Sequence, residues 1–350
     1  MVTIKDVARQ AGVSVATVSR VFSGANVVRE ATSKKVRDVA AALRYTPHVG
    51  ARSLITRKTH TLGVLLPDLY GEFFSEIIRG IDFAARRSGY HILVSRSYEG
   101  RREIEEAVRA MRGRVDGILL MSPDVSAEAL HTVPPSLPVV LLCSALRGSD
   151  ADCVTIQNYS GARDMVAHLL SLGHRRVAII KGAQGNYDAA ERLRGYRAAL
   201  KEKGISSDPE LEPEGEFTEA GGYAATMKLL GIASRPTAIF AANDSMAIGA
   251  LSALRESRIR VPSDIAVAGF DDIPLARYMD PPLSSVHVPI YDLGERAVEL
   301  LIHGISHKNR HARKREQVST HVVIRRSCGS PVERPPPSTK PRKRRTLQVA

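Results

Sequence analysis

The chain's 350 residues, 43% hydrophobic and 25% charged, can bury a large core and suffice for more than one domain. There is no run of 18 apolar residues and no secretory leader, and the three cysteines (Cys143, Cys153, Cys328) lack disulfide or metal-ligand spacing, so a membrane protein, a disulfide-stapled fold and a metal centre are all disfavoured. The net charge of +13 is uneven: residues 1–58 carry eleven basic against three acidic side chains (+8), stretches 303–316 and 331–350 carry +4 and +5, and the remainder is −4.

A basic N-terminal module on a near-neutral body is the footprint of a modular nucleic-acid binder. Thr3 can cap a helix over Ile4–Ala11 with Asp6 as capping-box partner, and Gly12 breaks it. Ser14 can cap a second helix over Val15–Phe22. Two short helices across a Gly-containing turn have helix-turn-helix spacing, with Ala8 and Val18 turned inward. A third helix, Thr32–Arg44, places Val36, Val39, Ala40 and Leu43 on one face and ends at Tyr45-Thr46-Pro47.

From Thr61 apolar runs alternate with amphipathic helices, as in strands buried on both faces of a parallel sheet. Strands are expected at Leu62–Leu66, His91–Ser95, Gly117–Met121 and Val139–Leu142, with helices at Phe73–Arg87 and Arg102–Arg112. The theme then restarts: helix Tyr159–Leu172, strand Val177–Lys181, helices Ala189–Lys203 and Glu219–Leu230, strand Ala238–Ala241, helix Asp244–Glu256 and strand Ile265–Phe270. Two such α/β lobes leave a cleft between them, the usual place for a ligand. Residues 331–350 are basic and Pro-rich without apolar periodicity, the composition of a disordered tail.

In the second helix, Val15 and Ala16 are small and apolar enough to meet thymine methyl groups, and Arg20 can fork onto guanine O6 and N7. Ser14, Thr17 and Ser19 suit phosphates. Val15 and Ala16 also read as ordinary helix-surface residues. In the cleft, Phe73 and Phe74 follow the first strand, Arg192 lies on a helix, Phe217 in a loop, and Asn243 and Asp271 after strands. Aromatic faces stack on a sugar or base, while Arg, Asn and Asp bind hydroxyls or a carboxylate. Singly, one of the phenylalanines reads as core, Arg192 as a surface ion-pair partner and Asp271 as a helix cap. No Gly-x-Ser-x-Gly elbow, phosphate-binding loop, His-Glu-x-x-His or complete Gly-x-Gly-x-x-Gly follows a strand, so an enzyme lacks its parts and no catalytic residue, metal or cofactor is expected. A two-lobed transport protein would need an export signal and leaves residues 1–58 unexplained.

The stretch Val13-Ser14-Val15-Ala16-Thr17-Val18-Ser19-Arg20-Val21 resembles the headpiece of the lac/gal repressor family of bacterial transcription factors. The likeness continues in order through Tyr45-Thr46-Pro47-His48, Ala51-Arg52-Ser53-Leu54, Leu62-Gly63-Val64, Asp116-Gly117-Ile118, Gly173-His174, Arg192 with Gly195-Tyr196, Ala242-Asn243-Asp244 and Gly269-Phe270-Asp271-Asp272. It implies an α/β protein: an all-α helix-turn-helix headpiece (1–46), a hinge (47–59), a two-lobed periplasmic-binding-protein-like domain of parallel sheets (60–330) and the tail (331–350).

The resemblance further implies a cytoplasmic transcriptional repressor, a homodimer on a pseudo-palindromic DNA operator, controlled by a small polar effector, sugar-like or carboxylated. No leucine heptad follows Ser330, so nothing supports a tetramer helix. By resemblance Val15, Ala16 and Arg20 read bases, and Thr3, Ser14, Thr17 and Ser19 complete the headpiece contacts. Leu54 becomes the minor-groove wedge with Ala51 allowing close approach, although Leu54 also reads as an interdomain contact. Gly50 costs a hinge helix about 1 kcal/mol relative to alanine. Phe73, Phe74, Arg192, Phe217, Asn243 and Asp271 match effector-contact positions. Cys143 stands where sugar-binding relatives often carry an acid, which points away from an ordinary hexose.

Overall fold

The structure, a computed structural model, describes residues 2–22, 28–45, 58–96, 101–122, 130, 133–134, 136–144, 151–307 and 313–329. Ala51 and Leu54, with Gly50, and the tail 331–350 fall outside these residues.

The N-terminal module is three helices: α1 (Ile4–Ala11), α2 (Val15–Phe22) and α3 (Glu30–Ala42). Thr3 and Asp6 start α1 as expected, the Thr3 backbone N–H and hydroxyl donating to Asp6 Oδ2 at 3.0 and 2.7 Å. Gly12 ends it in the left-handed region (φ 64°), where a side chain would be strained. Ser14 Oγ then accepts from the Thr17 N–H at 3.1 Å, capping α2. Val7, Ala8, Ala11, Val18, Val21, Val36 and Ala40 form the buried core of the module. The third helix begins two residues before the expected Thr32. Glu30 supplies a negative charge to its first turn, favourable at the positive end of a helix dipole.

Two sheets follow, each covered by helices. In the first, β1 (Thr61–Leu66), β2 (His91–Arg96), β3 (Gly117–Leu120), β4 (Val139–Leu142), β5 (Asp152–Ile156) and β10 (Arg315–Val318) run in the order β10-β5-β4-β3-β1-β2, all parallel. Helices α4 (Glu72–Arg87), α5 (Arg101–Met111) and α10 (Ile290–His307) belong to this lobe. In the second, β6 (Val177–Ile180), β7 (Ala238–Ala241), β8 (Ala266–Asp271), β9 (Ser284–His287) and β11 (His321–Val323) run β11-β9-β8-β7-β6, parallel except for the antiparallel edge strand β11. Helices α6 (Asn158–Ser171), α7 (Tyr187–Glu202), α8 (Glu219–Gly231) and α9 (Asp244–Glu256) pack here. The inner strands β3, β6, β7 and β8 are buried at every residue, which explains their unbroken apolar runs. Helices α6 and α7 approach closely at Gly195, where an added Cβ would lie 2.3 Å from the Tyr159 carbonyl oxygen.

The lobes are not consecutive halves of the chain, as the restart of the pattern at residue 159 implies. The chain crosses from first to second lobe at Gln157, returns at 288–289 to build α10 and β10, and crosses again at 319–320 to add β11. The crossings are tied together: the Gln157 N–H donates to Val318 O (3.1 Å), Thr320 Oγ1 to Gln157 O (3.3 Å) and the Val288 N–H to Asp271 O (3.2 Å). Where the domain begins, Asp116 accepts from the Thr59 N–H, the Thr59 hydroxyl and the His60 N–H at 2.7, 2.9 and 2.9 Å. Three hydrogen bonds to one carboxylate thus fasten the chain directly after the hinge stretch to the first sheet.

Candidate functional site

At the carboxyl ends of the strands, between the lobes, the structure gathers five of the seven expected cleft residues. Arg192 on α7 is 3% exposed, and its donors are directed by three partners. Nε donates to Asn158 Oδ1 at 2.8 Å, Nη1 to the Ala242 carbonyl at 2.5 Å, and Nη2 lies 3.1 Å from Asp271 Oδ1. The guanidinium carbon sits 3.8 Å from the Phe270 ring centroid and 5.8 Å from that of Phe217, within cation–π range. Asn243 caps α9, accepting from the Met246 N–H (2.9 Å), and donates from Nδ2 to the Phe217 carbonyl (3.1 Å), which fixes the loop carrying that ring. Arg192 is therefore a buried, fully oriented cation and not a surface ion-pair partner. Asp271 ends a strand and does not cap a helix.

Cys143 follows β4 in the first lobe and its thiol meets the carboxylate of Asp188, in the first turn of α7 in the second. Asp188 Oδ1 accepts from Asn158 Nδ2 at 2.7 Å, so Asn158 holds Asp188 with one end and Arg192 with the other. Phe73 and Phe74, at the start of α4, pair edge to face with centroids 5.5 Å apart and pack against the core. Beside them Glu72 accepts from the Leu275 N–H of the second lobe at 2.7 Å, so this helix end faces the other lobe.

Burial sets the charge states. Desolvation pushes Asp271 up to about 7 and Asp188 up to about 6, in both cases against the pull of the Arg192 charge. Burial, reinforced by the Asp188 charge, raises the Cys143 thiol well above its ordinary value, so it is a weak donor and not a thiolate. Beneath them, burial and then the Asp271 charge raise Asp244, which accepts from Ser285 Oγ (2.6 Å) and the Ile273 N–H (2.9 Å). Cys143 (φ 53°), Phe217 (φ 62°) and Asp271 (φ 106°) all occupy the left-handed region that non-glycine residues avoid. Each such residue costs on the order of 1–3 kcal/mol, and such strain concentrates at ligand sites.

On the headpiece, Val15, Ala16 and Arg20 are exposed while Val18 of the same helix is fully buried. A 41%-exposed Val15 beside Ala16 and Arg20 makes a small apolar and cationic face turned away from the core. Ser14 is exposed and Thr17 and Ser19 half-buried; Ser14 Oγ lies 2.9 Å from Thr17 Oγ1, so these hydroxyls serve the helix cap first. The hydroxyl of Thr3 is likewise engaged by Asp6.

Asn158 and Asp188 are absent from the sequence-based set of cleft residues. Asp188 reads as an ordinary first-turn acid and Asn158 as a helix start. Only their burial, 8% and 1% exposed, marks them, and burial of a carboxylate in a first turn has no signature in one sequence.

Residues 3–48 match the model of bacterial regulatory proteins of the lacI family, and residues 166–328 match that of a periplasmic binding protein-like domain. The chain is 37% identical over 309 residues to the ribose operon repressor of Escherichia coli (strain K12), covering 87% of this chain and 94% of that protein. Among solved structures it resembles the lac repressor dimer bound to operator and the anti-inducer ONPF, with a TM-score of 0.84, 30% identity, and 93% and 99% of the two chains covered. It also resembles a LacI family transcriptional regulator from Enterococcus faecium with bound ribose, with a TM-score of 0.68, 26% identity, and 76% and 98% covered.

Proposed function

Because this chain belongs to the lacI family of bacterial regulatory proteins, effector-controlled DNA-binding repressors, we propose that it represses as a homodimer on a pseudo-palindromic operator and answers to a sugar held in its cleft. Val15, Ala16 and Arg20 read the bases, with Thr3, Ser14, Thr17 and Ser19 beside the phosphates. Ala51 and Leu54, in the hinge 47–59, meet the minor groove between the headpiece (1–46) and the effector domain (60–330). The effector lies against Arg192, Asn243, Asp271, Phe217 and Cys143, with Phe73 and Phe74 facing it from α4.

The observation that carries this reading is the buried Arg192–Asp271 pair at the strand ends, with Asn243 and Phe217 alongside. A planar cation, a carboxylate, an amide and an aromatic ring converging in a cleft are the groups that bind a polyhydroxylated ring. The relative named as a ribose operon repressor and the solved relative with bound ribose make D-ribose the first sugar to test. The relatives are repressors, not enzymes, and this chain acts by binding alone, in the cytoplasm where its DNA lies. Closing over the ligand moves one lobe against the other, and the bonds joining the crossings carry that movement.

The test begins by selecting duplexes from a random pool with the full-length protein and footprinting the winners. Operator affinity is then titrated with a monosaccharide panel led by D-ribose. A two-fold symmetric footprint and a sugar-dependent affinity are expected. A single asymmetric half-site, or indifference to every sugar, overturns the reading.

A further inference from the structure

Resting on that reading of the cleft, we infer that Asp188 is a further effector-contacting acid, and that with Asp271 it restricts the ligand to an uncharged polyol, excluding acidic sugars. The two carboxylates stand at the ends of one chain of contacts, Asp188–Asn158–Arg192–Asp271, and share a single guanidinium.

That guanidinium is already committed. Its three nitrogens meet Asn158, Ala242 and Asp271, so it is directed at protein acceptors before any ligand arrives. A carboxylated ligand would bring a third anion against the same cation in a desolvated cleft, where like charges repel strongly. Hydroxyl groups do the opposite, because each donates to a carboxylate that has acceptor capacity left. An ionised carboxylate has about four lone-pair positions. At Asp188 the Asn158 amide and the Cys143 thiol are the partners, and a thiol is a poor donor.

The position of that thiol gives Asp188 its role. Cys143 comes from the first lobe and Asp188 from the second, so their contact spans the cleft and lies in the path of a ligand entering between them. A sugar hydroxyl replacing the thiol exchanges a weak hydrogen bond for a strong charge-assisted one. Asn158 holds the carboxylate rigid meanwhile, so little ordering is lost on binding.

The experiment is titration calorimetry of the full-length protein with D-ribose, other neutral monosaccharides and the aldonate of each. The wild type should bind a neutral sugar at least about tenfold more tightly than its aldonate, the size of one lost charge-assisted hydrogen bond. Asp188→Ala should bind that neutral sugar at least about tenfold more weakly and discriminate less against the aldonate. Thermal melting shows which variants are folded. Should Asp188→Ala melt early, Asp188→Ser combined with Cys143→Asp returns one acid to the same contact and should regain affinity, while Cys143→Asp alone sets two acids face to face and should lose it. Unchanged sugar affinity in a folded Asp188→Ala, or an aldonate bound as tightly as its sugar, overturns the inference and leaves the sugar-responsive repressor standing. If no monosaccharide binds the wild type, the reading of the cleft as a sugar site falls as well.

Discussion

Asn158 Oδ1 accepts the Nε–H of Arg192 at 2.8 Å, one residue past the point where the chain leaves the first lobe for the second. The buried cation of the cleft is thereby fastened to a crossing. The backbone carbonyl of Asp271 accepts from Val288, so the acid paired with that cation is fastened to another. A ligand that shifts the pair shifts the segments about which the lobes turn.

The first prediction concerns that fastening. Asn158→Ala should reduce the factor by which saturating effector changes operator affinity, from about tenfold or more toward unity, a loss of about 1.4 kcal/mol of coupling. Fluorescence anisotropy on labelled operator, with and without saturating sugar, measures it. Retention of the full factor would show that coupling runs elsewhere.

Arg192→Ala and Asp271→Ala should abolish the effector response while the headpiece still binds operator. Removing one member of a buried charge pair is expected to cost about 3–5 kcal/mol, moderated at Asp271 because burial already favours its protonated form. Calorimetry with the wild-type effector checks this, and an unchanged affinity in both variants would remove the pair from the site.

Stability should depend on pH through the two buried acids. Both hold a proton more tightly in the folded chain, to about 6 at Asp188 and about 7 at Asp271, than in the unfolded chain, where they titrate near 3.8. Their contribution is therefore complete below about pH 4, declines as the pH rises through 6 and 7, and levels off above. His168 and His174, lowered by burial, act in the opposite sense, losing their contribution as the pH falls. Comparison of the wild type with Asp188→Asn isolates one acid: the wild type should lose stability relative to the variant between about pH 4 and 6. Urea melts across that range test it, and a pH-independent difference would contradict the assignment.

In the headpiece, Arg20→Ala should weaken operator binding by about 1–3 kcal/mol and relax preference at one base position per half-site. Exposed Lys34, on α3, should behave as a phosphate contact, its replacement by alanine weakening all sequences alike. Competition between operator and random duplex separates the two. Equal losses of specificity would refute Arg20 as a base reader.

Gly195→Ala should destabilise the second lobe by about 1–3 kcal/mol, because the added methyl falls 2.3 Å from the Tyr159 carbonyl and drives α6 away from α7. Thermal melting reads the effect directly. A melting point equal to the wild type's would mean that the helices separate at no cost.

Most elements could be read from the sequence because most obey one period. The apolar runs of β1, β3, β6 and β7 and the caps Thr3, Ser14 and Asn243 all appear where expected. Strands β5 (DCVTI) and β9 (SSVH) went unseen because their buried polar residues break the apolar run. In β9, Ser284 and Ser285 are fully buried and satisfied, by Ser327 and Cys328 and by Asp244. Cleft residues at strand ends were legible for the same reason the strands were. Asn158 and Asp188 were not, since their roles arise only when α6 and α7 are stacked. Phe73 shows the limit of residue type alone: its edge-to-face pairing with Phe74 and its packing against the core let one ring serve as wall and filler together.

The three crossings have a consequence for inheritance. The first lobe is assembled from β1 to β5 together with α10 and β10, and the second from α6 to β9 together with β11. No single cut in the gene separates them, and a chimera that trades one lobe for a homologue's must be spliced at Gln157, at 288–289 and at 319–320. Recombination at one breakpoint can exchange the headpiece for one of different DNA preference, but it cannot exchange a lobe. New effector preferences in this architecture must therefore arise by substitution inside the cleft, whereas new operator preferences can be acquired whole.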